Sequence, residues 1–354
     1  MSSFLAAMCL LGLALASAIN FTTVYEWDEF DFVWPSGADS SKGQIKPNFK
    51  QEEIVLQYMA VFGERLFLST QKTYGINATI FWLPTNDTST APPKLAPFPS
   101  WEFHKKVNCN TIDWVSGMQA DTDGRLWVLD QGRGYCPSHL RIFDLLNNDT
   151  TERIHQFPDK IVSHFDYHRW MHDIVLDKTT DDTLAYIIDA AGSSFLNIVV
   201  YSRKMDKSWK VKTPGLKWTY LALSANTEAR QLYLTRFGCK ELYSLSVSEL
   251  KNKDGNATAE FIGKFTGHPY RMLIDSANVL YAVFYSKNYV SKWNISEPFL
   301  EERFYEVGEL GAFQPFTFAL DSTDTIWMTE RNQSRDNTKP RHKLLKAAVG
   351  ADSY

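Results

Sequence analysis

Cysteine is scarce in this chain, with 4 among 354 residues. Cys9 lies in an apolar N-terminal run. The other three, Cys109, Cys136 and Cys239, allow at most one intramolecular bridge and leave one thiol over. A disulfide framework is therefore excluded as the main source of stability, which must come from core packing. Long hydrophobic runs are also few: beyond the stretch from Phe4 to Ala16, none approaches the roughly 20 residues that cross a bilayer as a helix. The net charge is only −4, and no basic stripe marks the chain for nucleic acid. The basic stretch from Arg331 to Lys346 reads as a solvated closing segment. No GxSxG, HExxH, phosphate-loop or paired-cysteine zinc signature occurs, and Ser116-Gly117-Met118 is not a nucleophile elbow. Neither a metal nor a cofactor is expected.

Charge is missing from the N-terminus as well: no acidic or basic side chain precedes Glu26. The apolar run ends on Ala16-Ser17-Ala18, a small-residue cleavage site. Residues 1–18 thus read as a secretory signal, and residues 19–354 as a single extracellular domain with no membrane association. Seven N-x-S/T sequons agree with secretion. Asn20 lies too near the cleavage point to count. Asn77, Asn86, Asn148, Asn256, Asn294 and Asn332 are the expected glycan acceptors, and each should lie in an exposed loop or strand end.

What the chain does have is a repeat. Apolar-aromatic-apolar triplets centre on Phe67, Trp127, Tyr186, Tyr233, Tyr281 and Trp327, with spacings of 60, 59, 47, 48 and 46 residues. A period of about 50 built from short strands points to an all-β fold, a six-bladed β-propeller with a central channel. Trp114 to Ala120, the turn Asp121-Thr122-Asp123-Gly124, and Arg125 to Asp130 form the clearest hairpin. Similar inner strands precede the other triplets, at Asp173–Asp177, Tyr220–Ser224, Met272–Asp275 and Phe318–Asp321. They are short, branched, apolar runs bounded by turns, which disfavours a buried helix. Asp121, Asp177, Asp275 and Asp321 recur at equivalent hairpin positions, which makes them turn residues and not catalysts. After Trp327 only one further strand is legible, near Leu344-Leu345, so the segment from Phe21 to Trp34 is expected to close the last blade and remove the open edge. Residues Thr85 to Pro99, rich in Pro, Thr and Ser with sequons in or near them, read as a glycosylated loop.

The symmetry of a propeller collects residues from distant parts of the sequence. The starts of the inner strands (His172 and Asp173, Thr219 and Tyr220, Tyr270 and Arg271, Phe316 and Thr317) should meet the ends of the second strands (Asp130, Arg236, Tyr285, Glu330 and Arg331) at one mouth of the channel. The result is aromatic faces with a few convergent charges, a composition suited to a small aromatic ligand but also to a plugged ring. His164, His168 and His172 lie four apart, yet His172 leads into a strand, so a helical metal site is not expected. Cys109 precedes blade two's first strand and Cys136 opens its third, at the same end of the blade. They are the expected pair, with Cys136–Cys239 as the alternative.

Several blocks resemble the yellow and major royal jelly protein family. They are Ser116-Gly117-Met118-Gln119-Ala120-Asp121, Gly124-Arg125-Leu126-Trp127-Val128-Leu129-Asp130-Gln131-Gly132, Cys136-Pro137, Leu140-Arg141-Ile142-Phe143-Asp144-Leu145, Gly75-Ile76-Asn77-Ala78-Thr79-Ile80, Lys292-Trp293-Asn294 and Ile326-Trp327-Met328. The resemblance implies a secreted insect propeller that binds a biogenic amine or catechol, converts dopachrome in melanin formation, or serves as an extracellular scaffold. Asp123 and Lys292 stand where the family often has cysteine, so the family's usual disulfide set is incomplete. Phe316 and Arg331 stand where amine-binding members carry Thr and Asn. For a binder, His172, Asp173, Tyr220, Arg271, Phe316, Thr317, Glu330 and Arg331 are the candidate ligand residues of a monomer, with Glu330, Asp173 or Asp130 pairing an ammonium. For an isomerase, His172 is the candidate general base, and Arg271, Arg236 and Arg331 would hold the substrate's carboxylate.

Overall fold

Each of the six triplets forms the second strand of a four-stranded antiparallel sheet, and the six sheets stand in a ring as propeller blades. The structure, a computed structural model, describes residues 21–34, 54–71, 78–86, 91–104, 109–191, 197–215, 217–225, 228–253, 255–285, 287–306, 313–332 and 341–349. At 166 and 313–316 it describes the backbone only. The expected leader, Asn77 and the side chain of Phe316 lie outside the described residues.

In chain order, β1 (Thr22–Trp27) precedes blade one, which is β2 (Leu56–Phe62), β3 (Arg65–Thr70), β4 (Ile80–Pro84) and β5 (Ala96–Pro97). Blade two is β6 (Val115–Ala120), β7 (Arg125–Asp130), β8 (His139–Asp144) and β9 (Thr150–Gln156). Blade three is β10 (Met171–Lys178), β11 (Thr183–Asp189), β12 (Asn197–Ser202) and β13 (Lys207–Lys212). Blade four is β14 (Tyr220–Leu223), β15 (Gln231–Thr235), β16 (Glu241–Ser246) and β17 (Glu260–Lys264). Blade five is β18 (Pro269–Ile274), β19 (Val279–Phe284), β20 (Tyr289–Asn294) and β21 (Glu302–Glu306). Blade six holds β22 (Phe313–Leu320), β23 (Thr325–Asn332) and β24 (His342–Ala348).

Blade six is completed by β1, which pairs antiparallel with β24 from Thr22↔Lys346 to Trp27↔His342. The expected closing segment therefore divides its work. Its first half closes blade six, while Phe32 makes a parallel bridge to Leu95 in blade one, backed by Val33 N donating to Leu95 O at 2.9 Å. That bridge corrects the reading of residues 85–99 as a loop. Blade one's outer strand lies there but is only two residues long, and its prolines hide it, because proline cannot donate to a ladder.

Six buried apolar clusters fill the six gaps between neighbouring blades. One packs Phe67 and Phe98 of blade one against Leu126 and Phe143 of blade two. Another joins Tyr25, Trp27 and Trp327 of blade six to Leu66 and Phe81 of blade one. The turn aspartates and the triplet aromatics turn out to be partners. Asp121 accepts the backbone N–H groups of Asp123 and Arg125 through Oδ1, and the Trp127 indole N–H at 2.9 Å through Oδ2. Asp321 repeats this with Thr323, Thr325 and Trp327, also at 2.9 Å. Asp177 and Asp275 accept the Tyr186 and Tyr281 hydroxyls at 2.8 and 3.0 Å. Asp275 also accepts from Val279 N, so blades two, five and six use one carboxylate both to close a turn and to satisfy the polar tip of a buried ring, while Asp177 serves the ring and Arg230.

Cys109 and Cys136 are joined, with Cα atoms 5.0 Å apart, and Cys239 is free. Asn86, Asn148, Asn256 and Asn294 are exposed, with Asn148 on the β8–β9 turn. Asn332 departs from expectation: at 7 % exposure its amide is buried at the end of β23, a poor place for a glycan. Among the described residues no helix is long and apolar enough to cross a membrane.

Candidate ligand site in the channel

At the start of an inner strand, one extra residue changes what the strand points at. Registers shift in β2, β6, β10, β18 and β22, always near the end where the inner strands begin. Such bulges re-aim side chains. In β10 the extra residue is Asp173, lying between the pairs His172↔Ile188 and Ile174↔Ile187, with φ of 58°. Its Oδ1 accepts from Ile174 N and its Oδ2 from Leu221 N, which holds blade three to blade four. The same crowding fixes Gly117 in β6: a Cβ there would lie 2.9 Å from Ile174 Cγ2 and 3.2 Å from the Asp173 carbonyl carbon.

Four of the re-aimed or strand-starting side chains meet across the channel. Tyr58 from blade one places its hydroxyl 3.2 Å from His172 Nδ1 of blade three. The Arg271 guanidinium of blade five stacks on the Tyr58 ring at 3.9 Å and lies 5.9 Å from the Tyr220 ring of blade four. Arg271 donates through Nη2 to Gln57 O at 3.0 Å, while its Nη1 stands 3.9 Å from Asp173 Oδ2. His172 packs edge-on against Tyr220 at 5.1 Å. This plug divides the channel.

Above it, at the mouth, rings surround the half-buried His172. Trp170 lies 5.9 Å away edge-on and is 43 % exposed. The Tyr285 hydroxyl hydrogen-bonds that of Tyr220 at 2.8 Å, and Tyr285 contacts Tyr270 and Phe237. Tyr285 and Phe237 are exposed. Below the plug, a cavity of about 410 Å³ runs along the inner strands to the opposite, turn end of the ring. Asp173, Arg271 and Thr317 form its floor, and Thr122, Lys178 and Ser322 line its exposed opening.

Electrostatics follow from burial. Burial and the neighbouring Arg271 charge hold the His172 imidazole down at about 3, so it is neutral at physiological pH. Burial raises the Tyr58 hydroxyl to about 12, against the opposing pull of Arg271. Burial also raises the carboxyls of Asp173, Asp130 and Glu330.

The expected mouth residues are thus only partly brought together. His172 and Tyr220 reach it. Arg271, Asp173 and Thr317 lie lower, facing the cavity on the other side of the plug. Glu330 is elsewhere: it is buried and accepts the Tyr305 hydroxyl at 2.9 Å between blades five and six. Arg331 stands opposite His342 on the same sheet and lies half-buried near Arg341. Asp130 is a structural anchor, accepting from the amides of Asp113, Trp114 and Gly132 and pairing with buried Arg141. Asp189 does the same for Trp170 and Ala191. An acid three residues beyond a triplet aromatic (Asp130, Asp189, Glu330) was the signal for these roles. Tyr58, Trp170 and Phe237 are the residues that sequence reasoning missed. Among the described residues, no group of three His, Cys, Asp or Glu side chains is placed to hold a metal; His164 Nε2 donates to Phe157 O, and His168 lies on a 3-10 turn.

The backbone resembles enzymes of known structure. A gluconolactonase from Xanthomonas campestris superposes with a TM-score of 0.57 at 10 % identity, covering 93 % of this chain and 89 % of that one. A luciferin-regenerating enzyme superposes at 0.52 and 11 % identity, covering 94 % and 95 %. At such identities the likeness concerns the fold alone. Sequence relatives are more informative. The family model described as major royal jelly protein matches residues 115–221. Protein yellow of Drosophila subobscura is 29 % identical over 224 residues, which is 58 % of this chain and 38 % of that protein. Protein yellow of Drosophila melanogaster is 28 % identical over 198 residues, 52 % and 35 % of the two chains. The matches span well under half the length of these relatives. The stretch matched by the family model runs from blade two to the start of blade four of a six-bladed ring, and there the chain is similar to the yellow and major royal jelly proteins.

Proposed function

We propose that the protein is a secreted, monomeric, yellow-type propeller that binds a small aromatic ligand of the biogenic amine or catechol type at the channel mouth. The observation that carries this reading is a group of exposed aromatics at the mouth: Trp170 stands edge-on to a neutral His172, and Tyr285, with Phe237 beside it, bonds to Tyr220, which packs on the same imidazole. Exposed rings grouped at one end of a channel favour stacking with another ring. The three carboxylates first considered for an ammonium group are all engaged elsewhere, so an amine would be held by the faces of Trp170 and Tyr285. A catechol hydroxyl would meet His172 Nε2.

Dopachrome isomerisation is the second reading. A general base works best with a pKa near the working pH, and an imidazole held at about 3 is a weak proton acceptor. That favours the binder. The test is calorimetric titration with dopamine, serotonin and dopachrome, repeated on Tyr285→Ala and Trp170→Ala. Saturable binding weakened about tenfold by either change supports the mouth site. Binding unchanged in both variants, or turnover of dopachrome that depends on His172, overturns it.

A further inference from the structure

We propose that the turn-end cavity is a second and separate binding site, for a monocarboxylate with a slender apolar body. The floor supplies two donors with nothing to donate to. Thr317 is 1 % exposed and its Oγ1 has no hydrogen-bond partner, although its backbone N–H and C=O both engage Thr329. Arg271 Nη1 is likewise buried and without a hydrogen bond, since Asp173 stands off at 3.9 Å and its oxygens already accept from Ile174 N and Leu221 N. Buried donors left unmet are costly, so such a pair marks a place for an acceptor from outside the chain. A carboxylate offers two oxygens to these two donors, and a charged acceptor makes the stronger bond to a guanidinium.

The rest of the cavity selects the body of the ligand. Met59, Met118, Ile174, Met272 and Phe318 line the walls between floor and opening. At the opening, Lys178 is paired with Asp123 and Arg230 with Asp177, and Asp321 is held by the N–H groups of Thr323, Thr325 and Trp327, so no unpaired cation among the described residues there calls for a second anionic group on the ligand. An alcohol would satisfy at most part of the donor pair, and an amine would bring a cation to Arg271. A volume of about 410 Å³ is of the size that accepts small organic molecules. The plug of Tyr58, His172, Tyr220 and Arg271 separates this site from the mouth, so the two can be occupied independently.

The probes are octanoate, 1-octanol and octylamine, titrated calorimetrically into the full chain. Octanoate is expected to bind at one site, at least tenfold tighter than octanol, with no saturable binding of octylamine. Thr317→Val keeps the shape, removes only an unpartnered hydroxyl and should fold normally; it should weaken octanoate several-fold while leaving octanol unchanged. Arg271→Lys should weaken it further. Tyr285→Ala, which alters the mouth, should leave octanoate binding as it was, so that failure of the mouth reading and of this one remain distinct. Absence of octanoate binding, equal binding of octanol, or a Thr317→Val variant that binds octanoate as the parent does would each overturn the proposal.

Discussion

Replacing Asp121 with alanine would strip one hairpin of the carboxylate that closes it and satisfies the indole beneath it. The Trp127 side chain is fully buried, and its N–H has Asp121 Oδ2 at 2.9 Å. Leaving that donor unmet costs about 1–3 kcal/mol. The amides of Asp123 and Arg125 lose their acceptor at 2.9 and 3.0 Å; being nearer to water, they cost about 0.5–1.5 kcal/mol each. The sum is about 2–6 kcal/mol, a large part of the stability of a typical domain. Urea unfolding at neutral pH, followed by tryptophan fluorescence, gives the loss directly. Trp127→Phe removes the donor and supplies the control. If the pair is coupled as the distances indicate, the double variant should cost about 1–2 kcal/mol less than the two single costs added together. Single variants that add to within about 0.5 kcal/mol would refute the coupling, and so would an Asp121→Ala variant as stable as the parent.

Three other outcomes follow from the same contacts. Gly117→Ala should destabilise by about 1–3 kcal/mol through overpacking against Ile174 and Asp173, and a neutral result in thermal unfolding would show that blades two and three can move apart. Trp27→Ala should cost about 3–5 kcal/mol, because Trp27 is buried in the cluster that joins β1, blade six and blade one; a melting temperature within a few degrees of the parent would mean that β1 does not close the ring. Burial, with nearby arginines, holds His172 and His342 near 3, well below the usual histidine value. Between about pH 6.5 and pH 3 the unfolded chain therefore binds protons that the folded chain refuses, so each histidine contributes a loss of about 1.4 kcal/mol per pH unit as pH falls through that window. The raised carboxyls of Asp130, Asp173 and Glu330 act in the opposite sense, so the test is a difference: His342→Gln should flatten the acid slope of unfolding free energy, and an unchanged slope would contradict it.

The sequence showed the blades because their pattern is local. A triplet such as Leu126-Trp127-Val128 and a turn such as Asp121 to Gly124 carry their meaning within a few residues. The partnership of turn aspartate and ring was hidden in plain view, since in blades two, five and six the two halves repeat at the same offset of 6 residues. The two-residue strand at Ala96-Pro97 was not legible, because it is short, contains proline and pairs only with Phe81 and Trp82 of β4. The site was legible only in outline. Chain order alone places His172, Arg271 and Thr317 at similar levels of the ring. It does not reveal that a bulge turns Asp173 through a positive φ, or that Tyr58 reaches across to His172 and closes the channel. Those contacts set which residues face the mouth and which face the cavity, and a one-residue insertion is enough to change the answer.

A crystal structure grown with serotonin or dopamine would locate the ligand itself. The expected result is the aromatic ring of the ligand in the mouth, packed on Trp170 and Tyr285 with a polar group at His172 Nε2, and the plug of Tyr58 and Arg271 still closed beneath it. Ligand found only below the plug, or no ligand bound at concentrations that saturate the calorimetric signal, would contradict the assignment of the mouth as the aromatic site.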